Sequence, residues 1–245
     1  MRNIKIVIEY EGTHYHGWQR QKDEPTVQEV LEDRIGVITG EPVTLIGSGR
    51  TDAGVHALKQ VANFTTQSEI AASNLLRAIN SLIPKDIAVQ SVEDVDGTFH
   101  ARYDVKRKEY IYKILNRPVR SPLYRNYSWH IYGRLDLDAM TEAAQVLEGR
   151  HDFTSFCAAD GDARHKIRTV MAAGLTVSER SVITFAIEAD GFLRYMVRNI
   201  VGTLVDVGRG RIDPAEFAGI LQARDRTRAG MTAPPQGLFL KEVYY

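Results

Sequence analysis

Val43-Thr44-Leu45-Ile46-Gly47-Ser48-Gly49-Arg50-Thr51-Asp52-Ala53-Gly54-Val55-His56-Ala57-Leu58-Lys59-Gln60-Val61-Ala62-Asn63-Phe64 reads as strand, loop and strand, and the rest of the chain arranges itself around that reading. The β-branched and aliphatic run at 43–47 leads into the loop, and a second strand is expected at 59–65. Glycines at 47, 49 and 54 permit turns closed to other residues and allow another molecule to approach closely. One carboxylate, Asp52, sits among them, two residues after Arg50. An acid presented on such a loop beside a fixed cation can stay ionised and act as nucleophile or base. The same spacing suits an Asx-turn, in which the side chain only closes the loop on its own backbone.

Outward from this pair of strands, the residue periodicity repeats one pattern twice. The first half is expected to hold a strand at 4–10, a helix from Thr26 with Val27, Val30, Leu31 and Ile38 on one face, the two strands above, a helix at 70–82 stopped before Pro84, and a strand at 87–92. The second half offers a strand at 109–116, a helix at 136–147, a hairpin of 168–177 with 182–189, helices at 193–207 and 213–223, and a last strand at 237–244. Each half is approximately β-α-β-β-α-β, a ferredoxin-like unit in an α+β fold. The expectation is two antiparallel sheets joined into one curved sheet, with helices on one face and a central cleft. The polar stretch near Asp104 divides the chain into domains 1–104 and 105–245.

At 245 residues, 44% hydrophobic and 25% charged, the composition is that of a water-soluble globular protein with enough material for a core. The alternating, acid-containing N-terminus reads as a strand and not as a signal peptide, and no long apolar run is present, so no membrane association is expected. A single cysteine, Cys157, excludes an intramolecular disulfide framework and suits a reducing compartment, so a cytoplasmic location is expected. His14 and His16 lack a Cys or carboxylate cluster at zinc-like spacing, so no metal site is expected. Ser48 with His56 lacks the strand-Gly-x-Ser-x-Gly-helix context of a serine hydrolase.

Formal net charge is zero, from 31 basic and 31 acidic residues, yet the charge is unevenly spread. Between His100 and Arg125 the basic residues Arg102, Lys106, Arg107, Lys108, Lys113, Arg117, Arg120 and Arg125 face only Asp104 and Glu109. Tyr103, Tyr110, Tyr112 and Tyr124 are interleaved with them. Aromatic faces stack on bases while cations neutralise phosphates, so the mixture fits RNA, as it also fits a solvated strand and loop with core tyrosines.

The string Gly-Arg-Thr-Asp-Ala-Gly-Val-His at 49–56, followed by Gln60-Val61-Ala62-Asn63-Phe64, resembles the active-site motif of the bacterial tRNA pseudouridine synthase A family. Glu9-Tyr10-Glu11-Gly12-Thr13-His14-Tyr15-His16-Gly17-Trp18-Gln19-Arg20-Gln21 resembles that family's N-terminal signature. Phe99-His100-Ala101-Arg102 and Met196-Val197-Arg198-Asn199-Ile200-Val201-Gly202 match further motifs in order. Together they span almost the whole chain. The resemblance implies isomerisation of uridine to pseudouridine at positions 38, 39 and 40 of the tRNA anticodon stem-loop, by a homodimer without a cofactor. It implies Asp52 as the catalytic carboxylate, Tyr110 as the residue that stacks on a flipped uridine, and Arg198 as the cation that compensates a desolvated Asp52. Arg50 is expected on the RNA backbone or in ordering the loop.

The residues leave other readings open. Tyr110 and Tyr112 share one strand face, so both can line a cleft or both can lie in the core. Arg198 can flank the core with its charge in water. Trp18, Gln19, Arg20 and His56 can contact RNA, and Trp18 equally fits a core. A tRNA-binding protein without chemistry would use the 100–125 segment as well. Hydrolysis of a glycosidic bond would need a second acid, and none lies in the loop.

Overall fold

The computed structural model describes residues 1–158 and 165–245. In chain order the elements are β1 (Arg2–Tyr10), α1 (Val27–Thr39), β2 (Ile46–Gly47), β3 (His56–Thr66), α2 (Ala72–Leu82), β4 (Ile87–Val95), β5 (Arg107–Asn116), β6 (Trp129–Ile131), α3 (Leu137–Gln145), β7 (Gly149–Asp152), β8 (Ile167–Val177), β9 (Val182–Ala189), α4 (Met196–Gly208), α5 (Pro214–Ala223) and β10 (Leu238–Tyr244). The chain forms two compact units, Met1–Lys106 with Phe239–Tyr245, and Arg107–Leu238. The α+β class expected from the sequence is the class observed.

In the first unit β1 lies between β4 and β3 and pairs antiparallel with both. Ile4, Ile6, Ile8 and Tyr10 alternate along β1 and are buried, as side chains on one face of a pleated strand must be if that face carries the core. Val27, Leu31 and Ile35 of α1 and Leu75 and Ile79 of α2 supply the helical side of that core. Thr26 caps α1 by accepting the Glu29 N–H, and Gly40, at φ 74°, ends it in the left-handed conformation that favours glycine. On the opposite face of β1 lie Lys5 and Glu9, and the 96–104 segment covers part of it: Asn63 accepts the Ala101 N–H at 2.9 Å, and Tyr245 donates to the Ala101 carbonyl at 2.7 Å.

Two expectations are corrected here. The strand expected at 43–47 is reduced to Ile46–Gly47, because side chains of α1 take the backbone of Leu45. Glu32 accepts the Leu45 N–H at 2.8 Å and Gln28 donates to the Leu45 carbonyl at 3.0 Å, so that residue has no ladder bonds left to offer. The sheets are also not purely antiparallel. Beside β2, which meets β3 at Asn63 and Ala62, β10 runs parallel to the other end of β3 at His56 and Ala57.

In the second unit the order is β5-β9-β8-β7, all antiparallel, with the short β6 parallel to the end of β5. Tyr112 and Ile114 of β5 stand opposite Phe185 and Ile183 of β9, and all four are buried. The helices add Met140, Ala143, Ile200, Leu204, Phe217 and Ile220 to this core. Asp136 and Asp213 cap α3 and α5, and Pro214 takes the first turn of α5, where its missing N–H costs nothing. The fourth helix begins at Met196 and not at 193, because Tyr195 has φ 63° and cannot continue a helix. Among the described residues no helix is long and apolar enough to cross a membrane.

Candidate active site

Asp52 lies half-buried in the loop that joins β2 to β3, and the N-terminal signature is the structure that holds this loop. Its own backbone makes a tight turn: the Val55 N–H donates to the Asp52 carbonyl at 3.2 Å across Gly54, whose φ of 76° favours glycine. Residues 12–18 grip the loop from one side. The Trp18 N–H donates to the Thr51 carbonyl at 3.3 Å, and the Gly54 N–H donates to the Tyr15 carbonyl at 3.2 Å. The hydroxyls of Tyr10 and Thr51 share a hydrogen bond at 2.8 Å. Burial pushes the pKa of Tyr10 far above the ordinary phenol range, against the opposing effect of its hydrogen bonds to Thr51 and Gln60, so it stays a neutral partner.

Two glycines make the grip close. A Cβ on Gly12 would overlap the Val55 carbonyl oxygen, and a Cβ on Gly17 would overlap that of Thr51. Gly17 also has φ 87°. From the sheet side, Ser48 donates to Gln60 at 2.6 Å and Gln60 donates to the Gly49 carbonyl at 2.9 Å. The loop that carries Asp52 is therefore tied down on both sides, by the 12–18 backbone on one and by the Ser48–Gln60 pair on the other. Arg50, on the same loop, is exposed.

Trp18 is 2% exposed and packs on Gly47, and His56 is 1% exposed. His56 accepts the Gly12 N–H on Nδ1 at 2.9 Å and stacks on Phe239 with ring centroids 4.6 Å apart. Both are thus parts of the framework, which corrects the reading of His56 as an RNA contact. Neither Ser48 nor His56 serves as a hydrolase residue in this setting, since each is committed to the loop's support. His14 and His16 are exposed, and His16 lies 3.1 Å from Glu24. Among the described residues no group of three or more His, Cys, Asp or Glu is arranged to hold a metal ion.

Arg198 and Tyr110 belong to the second unit, and both border the segment that leads into α4. Tyr110 is 8% exposed and meets Phe192 edge to face, with centroids 4.9 Å apart. Tyr112, on the same strand face, is fully buried and donates its hydroxyl to the Pro234 carbonyl at 2.7 Å. Arg198 occupies the first turn of α4 and is half-buried. Its Nε donates to the Ala233 carbonyl at 2.8 Å, while the Ala233 N–H donates to the Arg198 carbonyl at 3.0 Å. The 229–234 strip that supplies Ala233 lies tight along the helix. Gly202 leaves no room for a Cβ beneath the Met231 carbonyl, and the Gly230 N–H donates to Thr203 at 2.9 Å. Buried Asn199 binds the same strip by accepting from Thr232 at 2.7 Å, and it donates to the Phe156 carbonyl at 2.9 Å.

The motif Arg198-Asn199-x-x-Gly202-Thr203 is accordingly a device for docking 229–234 and, through it, for holding the guanidinium of Arg198. The sequence alone does not announce Ala233 or Tyr195 as members of this arrangement, since one acts through its backbone and the other through its φ. The exposed members of the basic stretch include Arg102, Lys106, Arg107, Arg120 and Arg125. His100 and Tyr103 stack at 4.2 Å beside Arg102 on the surface of the first unit.

Residues 6–104 and 143–245 match a family model described as tRNA pseudouridine synthase. The chain is similar, over its full length and that of each relative, to proteins named tRNA pseudouridine synthase A from Thermoanaerobacter sp. (strain X514), at 53% identity, and from Acetivibrio thermocellus, at 47%. A protein named tRNA pseudouridine synthase A 2 from Clostridium tetani is 45% identical over 100% of this chain and 99% of its own length.

The grip on the Asp52 loop can be tested without any substrate. Gly40 shares a positive φ with Gly17 but has open space where a Cβ would go. Gly40→Ala is expected to cost about 1–2 kcal/mol from backbone strain alone, and Gly17→Ala more than that, in chemical denaturation. Equal losses would show that the contact with Thr51 is loose.

Proposed function

The chain belongs to the tRNA pseudouridine synthase family, and from that premise we propose that Asp52 is the carboxylate that acts on the flipped-out uridine. The enzyme is an isomerase that converts uridine to pseudouridine in tRNA. The N1–C1′ bond breaks, the uracil turns, and a C5–C1′ bond forms; the C5 proton is lost and N1 gains one. Nothing is added or removed overall, so the reaction draws on no redox or energy source. It needs one acid at the sugar, a hold on the detached base, and exclusion of water, because a base lost to solvent leaves a damaged strand.

The observation that carries the proposal is the doubly bracketed Asp52 turn, a half-buried acid backed by Gly12 and Gly17 on a loop between two strands. A framework so closely fitted around a single carboxylate is suited to a group whose direction matters. Arg198 is proposed to keep that acid ionised once the substrate has displaced water, since desolvation alone would raise its pKa and weaken it. A guanidinium suits this task because its charge persists at every physiological pH. Tyr110 is proposed to stack on the flipped uracil. Extrusion costs a few kcal/mol, and an aromatic face returns about 1–3 kcal/mol per base. Arg50 is proposed to take an RNA phosphate from its exposed position on the Asp52 loop.

The substrate uridines are proposed to be those at positions 38, 39 and 40 of the anticodon stem-loop, on the motif resemblance described above. The enzyme is proposed to act in the cytoplasm, as a homodimer, because a whole tRNA extends beyond what a chain of this size can cover. Incubating tRNA with the purified enzyme and mapping the product should give pseudouridine at those positions. Asp52→Ala should give none, with tRNA affinity within about a few-fold of the unaltered protein. Pseudouridine elsewhere would overturn the assignment of sites, and substantial product from Asp52→Ala would remove its central role. Light scattering at working concentration should return twice the chain mass, and a fully active monomer would refute the dimer.

A further inference from the structure

We propose that Tyr195 is the positioning residue for Arg198: a left-handed backbone at the start of α4 sets its ring against the guanidinium and fixes the plane in which that guanidinium acts. The inference rests on the reading of Arg198 given above and extends it to a residue that touches no reacting atom.

Tyr195 has φ 63° and ψ 2°, a conformation that non-glycine residues rarely adopt and that a bulky aromatic adopts only when its surroundings demand it. It is the residue immediately before Met196, and its carbonyl accepts the Asn199 N–H at 2.8 Å, so its backbone opens the helix. The consequence of this φ is the direction of the side chain. The ring centroid lies 5.0 Å from the Arg198 guanidinium carbon and 4.8 Å from that of Arg194, both within cation–π range. Arg194 also donates to the Tyr195 hydroxyl at 3.1 Å.

Arg198 is then restrained from the ring side as well as at Nε. Ala233 holds it at Nε, and the Tyr195 ring lies within cation–π distance of its guanidinium carbon. A long side chain with several rotatable bonds gains a better-defined orientation when a ring packs beside its guanidinium in addition to a hydrogen bond at Nε. The ring is only half-buried, so filling the core does not explain the strained backbone. Its interaction with the two arginines does.

Glycine accepts φ 63° without strain, so Tyr195→Gly removes the ring while leaving the entry to α4 intact. In single-turnover assays with tRNA it should lower the rate of pseudouridine formation roughly ten- to a hundredfold, the scale of a misplaced catalytic group. The tRNA Kd and the cooperative thermal unfolding should remain close to those of the unaltered protein. Tyr195→Phe, which keeps the ring, should restore the rate. Arg198→Ala should be at least as slow, and adding Tyr195→Gly to it should slow it no further. A full rate in Tyr195→Gly with a slow Arg198→Ala would overturn the positioning role and leave Arg198 in place. A full rate in Arg198→Ala would overturn both readings. Loss confined to tRNA affinity, or a Phe variant as slow as Gly, would also overturn the proposal.

Discussion

The close approach of two backbones, residues 12–18 against 51–55, is the constraint on which the rest of the first unit depends. Hydrogen bonds from Trp18 and Gly54 tie the segments together, and the absence of side chains at Gly12 and Gly17 lets them meet. Trp18 and His56, both large and both buried, fill the space beneath. The architecture spends its glycines where two chains must touch and its aromatics where the loop needs a floor, so the one carboxylate at the crest has little freedom to move. Packed interiors transmit displacement, and a shift anywhere in this framework reaches Asp52.

The second unit solves a similar problem differently. It carries a cation at the first turn of a helix, held by a strip of chain with little regular structure at 229–234. Asn199, Gly202 and Thr203 dock that strip, and the strip returns a carbonyl to Arg198. Side chains on successive turns of α4 thus build the setting for a charge on the same helix. The apolar face of α4, with Met196, Val197, Ile200, Val201 and Leu204 buried, anchors the whole arrangement to the sheet.

Much of this was legible in the residues, for physical reasons. Alternation in β1 is clean because one face carries the core, and Thr26 and Gly40 punctuate α1 as caps should. The 47–56 segment was legible as a loop between two strands because its glycines at 47, 49 and 54 interrupt the aliphatic pattern on either side. Less visible was the shortening of β2, which depends on Gln28 and Glu32 reaching across from a helix to Leu45. β6 and β7 are too short for a periodic signal. The start of α4 was misplaced because a left-handed tyrosine has no sequence signature. Trp18 could be read toward RNA or toward the core and His56 toward RNA, and only the tertiary packing shows that both are buried.

The central claim is that the negative charge of Asp52, and not merely its shape, drives the isomerisation. Asp52→Asn keeps the side chain's size and most of its hydrogen-bonding capacity while deleting the charge, so the single-turnover rate of this variant at saturating tRNA isolates that term. The account predicts no pseudouridine above the uncatalysed background, with the loop's fold and the RNA complex preserved. A rate near that of the unaltered enzyme would contradict it and shift the chemistry to another group.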